Sequence, residues 1–70
     1  MGQCAMDILL NGAPACFPDC TVAHLLAVTG LGEGKVAVEV NDAIVPRSAH
    51  ATHLLREGDR VEIVHALGGG

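Results

Sequence analysis

The chain closes on Gly68-Gly69-Gly70, and the chemistry of such an end follows from what glycine lacks. Three glycines add no core and no charge beyond the terminal carboxylate, and glycine loses more conformational freedom on ordering than any other residue. Without Cβ atoms, however, the segment can extend into a narrow cleft and let another enzyme's backbone come close. The carboxylate of Gly70 can then reach the α-phosphate of a nucleotide. A carboxylate is a poor electrophile at neutral pH, and adenylation turns one of its oxygens into a good leaving group. A sulfur nucleophile that displaces AMP leaves a thiocarboxylate on Gly70, with Gly69 and Gly68 as clearance beside it. A frayed end or a glycine linker is the competing reading of the same three residues.

Cysteines and histidines are the other candidates. Cys16, Cys20 and His24 lie four residues apart, and Cys4 would be a fourth ligand, which raises zinc. Against this, a helix is expected to start between Cys20 and His24, and Cys4 falls in a loose leader, so no metal site is expected. There is no Cys-x-x-Cys pair and no secretory signal, so the three thiols are expected to be reduced, as in a cytosol. Cys20, beside a helix N-terminus, is expected to have a slightly lowered pKa that its acidic surroundings oppose. A nucleophile needs a neighbouring base and an electropositive pocket, and no catalytic residue is assigned. His50, His53 and His65 read as surface or boundary histidines.

Length and charge bound the rest. Seventy residues make one domain, which buries only about 60% of its unfolded surface. Half of the residues are hydrophobic but Phe17 is the one aromatic, so the core must come from Val, Ile, Leu and Ala. A core this thin leaves little room for a walled substrate pocket, so the chain is not expected to be an enzyme. Four Lys and Arg against eight Asp and Glu give a formal net charge of −4. The basic residues Lys35, Arg47, Arg56 and Arg60 form no stripe, and no nucleic acid is expected. No apolar run approaches the roughly 18 residues that span a membrane. The opening Met1-Gly2-Gln3-Cys4 has Met6 where a myristoylation signal has Ser or Thr. Residues 1–5 therefore read as a flexible leader, 6–67 as the folded domain and 68–70 as a flexible tail, in the cytoplasm.

Punctuation along the chain divides it into elements. Met6 to Leu10 reads as a strand stopped by Asn11-Gly12, the strongest two-residue hairpin signal. Its partner runs from Ala13 to about Phe17, and Pro14 and Pro18 put it at an edge. Asp19 and Thr21, the latter better placed, are the N-cap candidates of a helix whose apolar face is Val22, Leu25, Leu26 and Thr29, ended by Gly30, Gly32 and Gly34. Val36 to Val40 alternates as a half-buried strand. Asn41-Asp42-Ala43 turns into a brief Ile44-Val45 strand halted by Pro46. Ser48 to Leu55 reads as a short helical turn or an irregular crossing, and Glu57-Gly58-Asp59 as a tight turn. The last strand, Arg60 to Leu67, turns Val61 and Ile63 inward and Glu62 and Val64 outward. The order β-β-α-β-β-β predicts an α+β domain of the β-grasp, ubiquitin-like type. In it one mixed sheet of about five strands carries one main helix, with the first and last strands as central neighbours. Val64, Ala66 and Leu67 are expected to contact a partner, since association favours an apolar centre.

Several short motifs recur in a fixed order: Ile8-Leu9-Leu10-Asn11-Gly12, Thr21-Val22 with Leu25-Leu26, Val40-Asn41, and Ile44-Val45-Pro46-Arg47. Glu57-Gly58-Asp59, Val61-Glu62-Ile63-Val64 and the terminal Gly69-Gly70 follow. From Met6 onward the chain resembles the ThiS family, the sulfur carriers of thiamine biosynthesis. The resemblance implies that a ThiF-type adenylyltransferase uses ATP and Mg²⁺ to adenylate Gly70. It further implies that sulfur from cysteine arrives through a cysteine desulfurase, and that a ThiG-type thiazole synthase takes it into the thiazole ring. The carrier itself holds no cofactor. His50, where a bulky aromatic is expected, Gly68 and residues 1–5 depart from the family pattern. The alternatives are a sulfur carrier of the molybdopterin synthase small-subunit type, a ubiquitin-like modifier, or a non-catalytic interaction module.

Overall fold

Asn11 and Gly12 both take positive φ, 51° and 84°, the geometry of a two-residue turn whose twist suits a hairpin. The turn joins β1 (Met6–Leu10) to β2 (Ala13–Phe17), with Met6 opposite Phe17 and Leu10 opposite Ala13. In the computed structural model, which describes residues 5–65, β2 is an outer strand of the sheet. Pro14, lacking an N–H, is tolerated there. A second hairpin repeats the device between β3 (Val36–Val40) and β4 (Ala43–Val45). Asn41 and Asp42 adopt φ of 53° and 70°. The expected three-residue turn is thus corrected to two, and Ala43 pairs with Val40 in the ladder. Asn and Asp are the residues beside glycine that accept this conformation most readily.

Helix α1 (Val22–Thr29) begins where Thr21 Oγ1 accepts the His24 N–H at 3.2 Å. It ends at Gly30, whose φ of 74° lets its N–H reach the Leu26 carbonyl at 3.0 Å. Val22, Leu25 and Leu26 are buried against the sheet, while His24 faces solvent. Thr29 is half-buried and returns its hydroxyl to the Leu25 carbonyl at 2.8 Å. The loop after the helix passes so close that a Cβ at Gly32 would lie 2.9 Å from Leu26 Cβ.

β5 (Arg60–His65) completes a five-stranded sheet in the order β2-β1-β5-β3-β4. It runs parallel to β1 and antiparallel to β3, so first and last strands are central neighbours as expected. Met6, Ile8, Val38, Val40, Val45, Val61 and Ile63 from the sheet join Val22, Leu25 and Leu26 from the helix, with Leu55 and Cys20, in one core. Each such side chain contributes about 1.5–3 kcal/mol on burial, without any fully buried aromatic. The expected crossing opens with a 3₁₀ turn, Arg47–Ala49, one residue earlier than Ser48, because Pro46 can start but not continue it. The irregular stretch that follows returns its carbonyls to the helix. Val22 N–H donates to His53 O at 3.0 Å and Ala23 N–H to His50 O at 2.8 Å, while Leu55 N–H donates to Cys20 O at 3.0 Å. Among the described residues no helix is long and apolar enough to cross a membrane.

Candidate functional site

β5 is the strand from which the chain continues to its glycines, and it is held by both neighbouring strands and by the turns around it. Its start is held by the Glu57-Gly58-Asp59 turn, where Gly58 N–H donates to Asp7 O at 2.8 Å and Leu9 N–H to Asp59 O at 3.0 Å. Glu57 Oε1 accepts the Asp7 N–H at 2.8 Å. Both hairpin turns then grip it from the sides. Asn11 donates its N–H to Val61 O at 2.9 Å, and its Oδ1 accepts the Ile63 N–H at 2.8 Å. Asn41 donates its N–H to Arg60 O at 2.8 Å, its Oδ1 accepts the Arg60 N–H at 2.9 Å, and its Nδ2 donates to Asp59 Oδ1 at 2.9 Å. The left-handed backbone of each asparagine is what aims its amide at β5. The last strand is thereby a fixed base, and its His65 stands opposite Val36 in the ladder.

Gly68, Gly69 and Gly70, with Ala66 and Leu67, lie outside the described residues, as do the leader residues 1–4. Val64 is the described member of the expected contact set. It is exposed on the face opposite the helix, across from Ala37 of β3, in agreement with the outward assignment. Leu9 and Ile44, which sequence reasoning left out of that set, are exposed there too. Their signal was available: each is an apolar residue out of phase with the inward residues of its own strand.

The zinc candidates are not brought together. Cys20 is buried in the core, His24 points to solvent, and among the described residues no three metal-binding side chains cluster. Cys16 stands exposed on the edge strand β2 and is disulfide-bonded, which corrects the expectation of reduced thiols; an outer strand leaves its sulfur open to a second one. Among the described residues Cys20 carries a free thiol. Burial pushes its pKa up, and the charge of Asp19 adds to this, so the expected slight lowering is also corrected. The first helical amides, which would have stabilised a thiolate, are engaged by Thr21, His50 and His53 instead. His50 and His53 are half-buried and His65 is exposed. His50 Nε2 donates to Val45 O at 3.1 Å, which ties the crossing segment to the end of β4.

A family model described as the ThiS family matches residues 8–70. The chain is 42% identical over 66 residues to the thiazole synthase of Paramagnetospirillum magneticum, a match covering 93% of this chain and 20% of that protein. The thiazole synthase of Magnetococcus marinus matches with the same identity and coverage, so the chain spans about a fifth of the length of these relatives. It is 33% identical over 66 residues to the sulfur carrier protein ThiS of Escherichia coli, covering 93% of this chain and 100% of that one. A crystal structure of the thiamine biosynthesis protein ThiS from Geobacter metallireducens superposes with a TM-score of 0.82 at 29% identity, over 93% of this chain and 100% of that chain.

Proposed function

The chain belongs to the ThiS family, the sulfur carriers of thiamine biosynthesis, and from that premise we propose that the Gly70 carboxylate is the group that carries the sulfur. A carrier of this family is acted upon and is not itself catalytic. A ThiF-type adenylyltransferase binds ATP and Mg²⁺, and an oxygen of the Gly70 carboxylate attacks the α-phosphorus with loss of pyrophosphate. The outer sulfur of a persulfide, made from cysteine by a desulfurase and released at the sulfide level by a thiol reductant that is oxidised to a disulfide, then attacks the acyl carbon. The C–S bond forms, the C–O bond to AMP breaks, and a thiocarboxylate remains. Gly69 and Gly68 give the tether its slenderness, and the reaction belongs to the cytoplasm, where the ATP is.

A ThiG-type thiazole synthase is the acceptor. The observation that carries this choice is the match to thiazole synthases, in which the similar segment makes up 20% of a longer chain. Joining two proteins that must meet raises their effective concentration, often to the millimolar range. The same match favours thiazole over a molybdopterin synthase partner or an isopeptide-forming modifier. Val64, Ala66 and Leu67 form the apolar contact beside the tail.

Intact mass spectrometry tests the reading. Incubation with the adenylyltransferase, ATP, Mg²⁺ and a sulfur source should add about 16 Da, the difference between sulfur and oxygen, and fragmentation should assign it to Gly70. A chain that stays unmodified under conditions that charge the Escherichia coli carrier overturns the proposal.

A further inference from the structure

Between the end of α1, the glycine loop after it and the crossing segment lies a cavity of about 370 Å³. Leu26, Ala27 and Val36 give it apolar walls, and Arg47 and Glu33 bring it one charge of each sign. Arg47 enters no ion pair among the described residues. His50, also at the cavity, has its Nε2 committed to Val45 O at 3.1 Å. The cavity adjoins the place where the chain leaves the sheet. Val36 shares the helix-side face of β3 with Val38 and Val40, which are buried there. Its ladder partner is His65, the last residue of β5. The central strand therefore ends at the rim of the cavity.

Five residues, Ala66 to Gly70, follow that point in the sequence. Extended, they span up to about 17 Å, more than the width of a rounded cavity of that volume. Their chemistry matches its walls. Leu67 is apolar, the three glycines have no Cβ to clash, and a terminal carboxylate can take two parallel hydrogen bonds from a guanidinium. Glu33 repels a carboxylate and so confines it to the Arg47 side. Resting on the carrier reading above, in which Gly70 ends the chain, we propose that this cavity seats the chain's own C-terminal segment between encounters with its enzymes. Leu67 lies against Leu26, Ala27 and Val36, and the Gly70 carboxylate pairs with Arg47. While seated, the carboxylate is withheld from nucleotide; the activating enzyme takes the released form. The tether is short, which gives an effective concentration in the millimolar range, so a weak contact is enough to close it. Arg47 is exposed, and an exposed ion pair is a weak lock that the enzyme can open.

Nitrogen-15 relaxation of the Gly68, Gly69 and Gly70 amides in the purified full chain is the test. These amides should be more ordered in the wild type than in Arg47→Gln, whose melting temperature should match the wild type's. Deleting the three glycines should shift the amide resonances of Ala27, Gly32 and Val36. With limiting adenylyltransferase, Arg47→Gln should gain sulfur faster, by no more than about fivefold. Identical relaxation in wild type and variant overturns the proposal, as do unshifted cavity resonances in the truncated chain. Slower sulfur uptake by the variant overturns the withholding of the carboxylate. An ordering that fades on about tenfold dilution belongs to the tail of a second copy and also overturns it. A tail ordered by Arg47 in a chain that never gains sulfur upholds the seating and fails the carrier reading alone.

Discussion

The thiol of Cys20 immediately precedes the cap of α1, a position that ordinarily favours a thiolate. Here the amides of Val22, Ala23 and His24 are already bonded, to His53 O, His50 O and Thr21 Oγ1. What remains for the sulfur is burial in an apolar core, then the repulsion of Asp19, and both favour the neutral form. The sign for stability follows. A group whose pKa is raised by folding contributes fully below its unfolded pKa, and that contribution fades as pH rises through the folded value. Stability should therefore fall above about pH 8.5, the ordinary thiol range, and the fall should vanish in Cys20→Ala. Iodoacetamide should label Cys20 at least tenfold more slowly than free cysteine at neutral pH and at full speed in urea, followed by mass spectrometry. Equal rates in buffer and urea would show an accessible thiolate.

Among the elements, the two hairpin turns matter beyond reversing the chain. Asn11 spends a positive φ to place Oδ1 on the Ile63 N–H, so backbone and side chain can be separated by substitution. Asn11→Gly keeps the left-handed conformation and removes the hydrogen bond, a loss of about 1 kcal/mol. Asn11→Ala removes the bond and adds roughly 1–2 kcal/mol of left-handed strain. Urea denaturation of both variants should rank the alanine form below the glycine form, and equal stabilities would dismiss the conformational part. The hairpin itself was legible, since Asn-Gly between two apolar runs is a local signal. The grip on β5 was not, because Asn11 and Ile63 are separated by most of the chain and only the parallel β1–β5 pairing brings them together.

At the scale of the molecule, a small aliphatic core supports a sheet whose central strand precedes in sequence the glycines proposed to carry the sulfur. On that proposal fold and reactivity reside in separable parts. One alanine appended after Gly70 should leave the far-ultraviolet circular dichroism and the melting temperature unchanged, since the added residue touches no core position. Thiocarboxylate formation should drop at least a hundredfold, because the carboxylate is moved past the position that the glycines make accessible. Charging of the extended chain at the normal rate would detach the chemistry from the terminal position of Gly70.

Period-two alternation, Asn-Gly, Thr21 and Gly30 are signals carried by neighbours in the chain. From them the number of strands, the single helix with its caps, the edge position of β2 and the glycine end could be read before any coordinates. Local signals hold no information on which distant residues meet. The depth at which Cys20 is buried, the two-residue turn at Asn41-Asp42, and the facing of Glu39 by Glu62 among exposed Leu9, Ile44 and Val64 depend on strand register. Register is set by the packing of one face against α1, and the side chains of the opposite face are carried into their arrangement by it.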